Sequence, residues 1–199
     1  MPFDTTLPGR LSAHFPFRNT DRDRLYLSSY QTYLRYFRER LSTDCIAEND
    51  AKVGVFLVYT WMSPAQLDPS SLENFSRSRC AIINAQRKRL DEQKLADLKS
   101  FVGGSLIAAS KFLHLLNPSL YAIWDRRVAW AGYRYQYPYQ YNQTERYVEY
   151  LNDLDKLTLP VALANRISDE LGEITALRAK EFALFHLGIF EQSDEEDGS

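Results

Sequence analysis

Apolar side chains recur along most of this chain at helical rather than strand spacing. Tyr26, Tyr30, Tyr33, Leu34, Phe37 and Leu41 follow helical spacing, which places them on one stripe of a helix starting near Thr20 or Asp21. A second helix, capped by Thr43 or Asp44, runs to an apolar end near Met62. Two more are predicted between Leu72 and Lys99. Gly103-Gly104 reads as a turn, and Ser105 to Leu116 as a buried helix that Asn117-Pro118 ends. Leu120 to Trp124 forms a short apolar connector, with Asp125 placed to cap the helix after it. Further helices are predicted over about 143–156, 160–171 and 174–189, with Pro160 at a first-turn position. No stretch alternates strands with helices, so the expected class is all-α: a compact multi-helix domain of about seven to nine helices, as one body or as two packed lobes.

The ends of the chain break this pattern. Residues 1–19 are rich in Pro, Gly and Phe and read as an extended arm. Residues 191–199 hold five acids and no base, and read as a disordered tail. Residues 20–190 then form a single helical domain. Without the tail, 24 basic and 21 acidic side chains remain, so the body is mildly basic.

Composition narrows the class. At 45% hydrophobic over 199 residues there is ample material for a core. Only Cys45 and Cys80 are present, in no zinc or redox spacing, and an iron–sulfur cluster needs four thiolates. His14, His114 and His186 are scattered, so no metal site and no cofactor are expected. The N-terminus lacks a basic lead into an apolar run, and Val53 to Met62 is too short to span a bilayer. A soluble, cytoplasmic protein with no membrane partner is the expectation.

The most informative stretch is Phe101 to Val128, FVGGSLIAASKFLHLLNPSLYAIWDRRV. Turn, helix, short connector, capping Asp and helix follow one another. This order resembles the helix-hairpin-helix and catalytic segment of the base-excision DNA glycosylases, over 28 of the 199 residues. Aligned without gaps, Phe101 takes the leading apolar place of the hairpin motif, Gly103 its first glycine and Ala109 the helix alanine. Asp125 falls on the catalytic Asp and Val128 on the apolar position after it. Ser105 stands where a second glycine is usual and Val102 where proline is usual. Ile107 occupies the place of the nucleophilic Lys of bifunctional members, so the resemblance implies a glycosylase without lyase activity, or a degenerate one. Lys111 lies one turn further along that helix, as a displaced amine or as a solvated lysine.

The chemistry such a site performs accounts for these residue types. Cleaving the C1′–N bond of a flipped nucleotide leaves positive charge on the sugar, which a carboxylate stabilises while orienting water. Asp125 would be that carboxylate; its structural alternative is a helix cap flanked by Arg126 and Arg127. The amides at Gly103, Gly104 and Ser105 would hold a DNA phosphate; otherwise they form a plain interhelical turn. His114, between Leu113 and Leu115, reads as a core imidazole. Trp124, beside Asp125, is the indole placed to line a pocket.

Two further features bear on partners. Tyr133, Tyr135, Tyr137, Tyr139 and Tyr141 alternate with other residues, and period-2 spacing puts five rings on one side of an extended segment. Such a row stacks bases, binds another protein, or packs as a lid onto the helices. Arg77, Arg79, Arg87, Lys88 and Arg89 form a stretch without an acid, fit for a phosphate backbone or for a solvated face. Arg178 and Glu181, three apart, are expected to pair on a helix surface. Two functions therefore stand: a DNA-binding, glycosylase-like repair hydrolase acting on double-stranded DNA, with Arg87, Lys88, Arg89, Arg126 and Arg127 on the DNA; and a non-catalytic helical module that binds a protein through the tyrosine row.

Overall fold

A computed structural model describes residues 2–12, 21–61 and 66–197, with side chains described for 28–61 and 66–192 besides the N-terminal segment. Among these residues there are eleven α-helices, one 3-10 segment and no strand, an all-α architecture. The helix start near Thr20 and the apolar end at Met62 fall partly outside the described residues. The chain divides into two compact units: residues 19–122 form a central unit, and residues 1–18 with 123–199 form a terminal unit.

The central unit contains α2 (Asp21–Arg40), α3 (Glu48–Trp61), the 3-10 segment Pro69–Asn74, α4 (Phe75–Ala85), α5 (Glu92–Phe101) and α6 (Leu106–Leu116). Its axis is α6, buried along nearly its whole length from Leu106 to Leu116. A helix apolar all round must be enclosed by its neighbours. Phe37 of α2 meets Phe112 of α6 edge-on at 5.0 Å between ring centroids. Val55 and Val58 of α3 and Leu95, Leu98 and Phe101 of α5 are buried in the same core. Asp91 caps α5 by accepting from the Lys94 amide, and Ser105 caps α6 by accepting from that of Ala108.

The terminal unit contains α1 (Leu7–Ser12), α7 (Arg126–Tyr133), α8 (Pro138–Tyr141), α9 (Thr144–Lys156), α10 (Val161–Leu171) and α11 (Ala176–Asp197). α9 buries Tyr147, Tyr150, Leu151 and Leu154, the stripe expected of an amphipathic helix. α7 and α11 cross closely at Gly188, where an added Cβ would lie 2.4 Å from the Arg127 carbonyl oxygen.

Both ends depart from the sequence expectation. The N-terminal segment is not an extended arm throughout: Leu7 and Leu11 are buried on one face of α1. Residues 191–197 are not a free tail, because α11 continues through them. The reason is a network of ion pairs between segments far apart in sequence. Arg10 donates to both Glu191 oxygens at 2.8 and 2.9 Å and also to the Ala131 carbonyl at 2.6 Å. Arg134 donates to Glu191 at 2.6 Å, and Asp4 pairs with both arginines. Arg178 and Glu181 do pair, but the pair is buried rather than on the surface.

Candidate functional site

The hairpin between α5 and α6 lies within the central unit. Val102 closes α5 by donating to the Leu98 carbonyl, and the Gly104 amide reaches back to the Lys99 carbonyl at 2.8 Å. Gly103 and Gly104 have φ of 82° and 74°, a left-handed conformation open to glycine at little cost. The two glycines differ in surroundings. A Cβ at Gly103 would meet the Tyr59 hydroxyl at 2.6 Å, whereas nothing lies within 4 Å of one at Gly104. Tyr59 donates to the Val102 carbonyl at 3.0 Å, which ties the turn to α3. Gly104 is exposed, and Ser105 then starts α6.

Downstream, the connector after α6 is anchored at each step. Tyr121 is buried; its hydroxyl donates to the Lys88 carbonyl at 2.8 Å and accepts from the Leu90 amide at 3.0 Å. Burial pushes its phenol pKa well above the ordinary value. In the terminal unit, Tyr150 donates to the Ile123 carbonyl at 3.0 Å, and its ring packs on Trp124 with centroids 4.7 Å apart. The Trp124 indole N–H donates to the Tyr141 carbonyl at 2.8 Å. Trp124 is fully buried, so it supports the residue after it from beneath rather than presenting a face to solvent.

That residue is Asp125. It has extended backbone geometry and caps α7, with Oδ1 accepting from the Val128 amide at 3.0 Å. Its side chain is half-buried. One carboxylate oxygen is thus tied to the helix it starts, which fixes the rotamer and the plane of the group. Arg126 and Arg127 are exposed after it, and the Arg127 guanidinium lies 5.2 Å from the centroid of Phe185.

The other basic residues are unequal. Arg87 is exposed and paired with Asp44 at 2.5 Å, and Lys88 is exposed. Arg89 is half-buried and donates to the Leu120 carbonyl at 2.9 Å, so it holds the connector in place. Lys111 is not a solvated lysine: it is 9% exposed, with its ammonium 5.3 Å from the centre of the Trp61 ring. Ile107 sits half-buried in the first turn of α6.

Around Lys111 lies a group that sequence spacing did not assemble. The rings of Trp61, Tyr30 and His114 stack in series, at 5.8 and 5.6 Å between centroids. The Tyr30 hydroxyl meets His114 Nε2 at 2.7 Å, and His114 Nδ1 meets the Tyr121 carbonyl at 2.8 Å. Since a carbonyl only accepts, Nδ1 carries a proton and donates to it. His114 is therefore the hydrogen-bonded core imidazole that its apolar neighbours suggested. Its partners come from α2 and the connector, which no local pattern reveals.

The tyrosine row does not form one ladder. Arg134 adopts φ 59° and ends α7, and Pro138 begins the short helix α8, so the period-2 register is lost. Tyr133 and Tyr135 stack at 5.3 Å, and Tyr133 donates to Asp153 at 2.9 Å. Tyr137 and Tyr139 form a second, nearly parallel pair at 5.7 Å, 54% and 69% exposed. Tyr141 is buried.

Among the described residues no group of three or more His, Cys, Asp or Glu is placed to hold a metal ion, and no helix is long and apolar enough to cross a membrane. Cys45 and Cys80 are exposed free thiols. No protein-family model, curated protein or solved structure matches the chain.

Proposed function

We propose that this chain binds DNA and acts as a DNA N-glycosylase without lyase activity. The observation that carries the reading is the order of elements. A hairpin turn built from two left-handed glycines leads into a capped buried helix, then an anchored connector, then Asp125 held at the start of α7. The Gly104 amide is spent on the Lys99 carbonyl and so is not one of the phosphate donors, but the exposed turn lets a phosphate approach the backbone closely, and the positive end of α6 favours an anion there. Exposed Lys88 and Arg126 supply sequence-independent attraction to a phosphate backbone.

In the reaction, the C1′–N bond of an extruded nucleotide breaks and its electron pair leaves with the base. Asp125 stabilises the charge that develops on the sugar. A water oxygen then bonds to C1′; its proton passes to the Asp125 carboxylate and on to the departing base nitrogen. Ile107 offers no amine, so no Schiff base forms there. Buried Lys111 has no place in this scheme.

The test is binding to a short duplex with a central tetrahydrofuran abasic analogue against the undamaged duplex, at two salt concentrations. Preference for the abasic duplex that survives added salt supports the reading. A lesion panel with Asp125→Asn follows. Asn also caps helices well, so the variant keeps its fold while excision falls by at least about a hundredfold, the scale of losing one positioned acid–base group. Undiminished excision by Asp125→Asn would remove the catalytic assignment. Equal, salt-abolished binding to both duplexes would remove the DNA reading.

A further inference from the structure

Four and six residues after α7 ends, Tyr137 and Tyr139 form the most exposed aromatic surface of the terminal unit among the described residues. Tyr137 and Tyr139 lie with ring planes 5° apart and centroids 5.7 Å apart, a displaced parallel stack. They are two of five large hydrophobic side chains exposed among the described residues, and these two touch each other.

The loop beneath them is held by its own polar groups. Gln140 Oε1 accepts from the Gln136 amide at 2.8 Å and from the Tyr137 amide at 2.9 Å. Gln143 donates to the Tyr139 carbonyl at 2.8 Å, and the Asn142 amide donates to the Pro138 carbonyl at 2.8 Å. With Pro138 fixing the first turn of α8, the rings are displayed on a braced support. Little ordering entropy is then lost when something binds them.

We infer that the Tyr137–Tyr139 stack is a platform for unstacked nucleobases of single-stranded DNA; the inference rests on the DNA reading above. Three observations favour a nucleic acid over a protein. From Arg126 to Thr144 the chain carries no acid, and its Arg126 and Arg127 are exposed, which suits a polyanion, whereas Arg134 is taken up by Glu191 and Asp4. The exposed aromatic area is confined to two adjacent rings, a size matched to one or two stacked bases. The other three tyrosines of the row are buried or half-buried in the unit itself. Parallel ring faces accept any base, because every base offers a π-face.

The experiment measures binding of fluorescein-labelled dT12 and of an undamaged 20-base-pair duplex to the full chain by anisotropy. Wild type is compared with a Tyr137→Ala/Tyr139→Ala double variant and with a Tyr137→Phe/Tyr139→Phe variant that keeps the rings. Both side chains are exposed, so unchanged circular dichroism and melting are expected for either variant. The inference expects dT12 affinity to fall at least about fivefold in the alanine variant, to persist in the phenylalanine variant, and duplex affinity to change less than twofold. Equal dT12 binding by wild type and the alanine variant overturns the platform while leaving the DNA reading intact. So does a wild type that binds the duplex and ignores dT12; the rings then fall to a protein partner. A wild type that binds neither DNA overturns the platform, while the DNA reading stands or falls separately on the abasic duplex.

Discussion

Gly188→Ala offers a test of the packing that holds α7, and so Asp125, in place. In a helix interior alanine is favoured over glycine by about 1 kcal/mol, so on an open helix the substitution stabilises. Here the new Cβ would lie 2.4 Å from the Arg127 carbonyl oxygen, 2.9 Å from its carbon and 3.1 Å from its Cα. Ordinary contacts between such atoms fall near 3.5 Å, so α7 and α11 must separate by roughly 1 Å. Backbone atoms cannot rotate aside as a side chain can. Overpacking of this kind costs about 1–3 kcal/mol, and a rigid obstacle belongs at the upper end. Setting that against the propensity gain leaves a net loss of about 1–2 kcal/mol. In a chain of this length this lowers the melting temperature by about 2–8 °C. Gly9→Ala is the matched control, since it lies in α1 with nothing within 4 Å of its added Cβ. It should be neutral or slightly stabilising. Urea and thermal denaturation followed by circular dichroism read both variants. A Gly188→Ala protein as stable as wild type, or a shift of the same sign in both variants, would refute the close crossing of α7 and α11.

Two further outcomes follow from polar groups. Tyr121→Phe removes the hydroxyl that serves both the Lys88 carbonyl and the Leu90 amide. It should cost about 1–3 kcal/mol in urea unfolding; a change below about 0.5 kcal/mol would mean that the hydroxyl does not anchor the connector. Asp4 is held below the ordinary carboxylate pKa, first by the Thr6 amide and further by the Thr6 hydroxyl, Arg10 and Arg134. A depressed folded pKa contributes stability above the unfolded value near 4, and this is lost as pH falls through the lower folded value. Asp4→Asn should therefore lower stability at pH 7 and flatten the loss as pH falls below the unfolded value near 4. An unchanged slope in pH-dependent denaturation would show that Asp4 is not so held.

The sequence was most readable where one local rule acted alone. Asn117-Pro118 ends α6, Asp125 caps α7 and Gly103-Gly104 turns the chain, each for a reason contained within a few residues. Misreadings arose where distant partners decide. Gly9 weakens a helix locally and Pro8 suits only a first turn, yet α1 forms because Leu7 and Leu11 are buried and Arg10 is bound by Glu191. Glu191 in turn looks like the start of a solvated tail until two arginines from elsewhere in the chain meet it. The tyrosine row misled differently: alternation implies one face only while the backbone stays extended, and Arg134 and Pro138 each end that condition. Lys111 shows the limit most plainly. Helix periodicity places it on α6 but cannot say that Trp61 of α3 covers it, or that Tyr30 of α2 completes the ring stack beside it. Chemistry confined to one helix cap, such as that assigned to Asp125, can therefore be proposed from a string of residues. Chemistry shared among α2, α3 and α6 becomes visible only once those helices are packed.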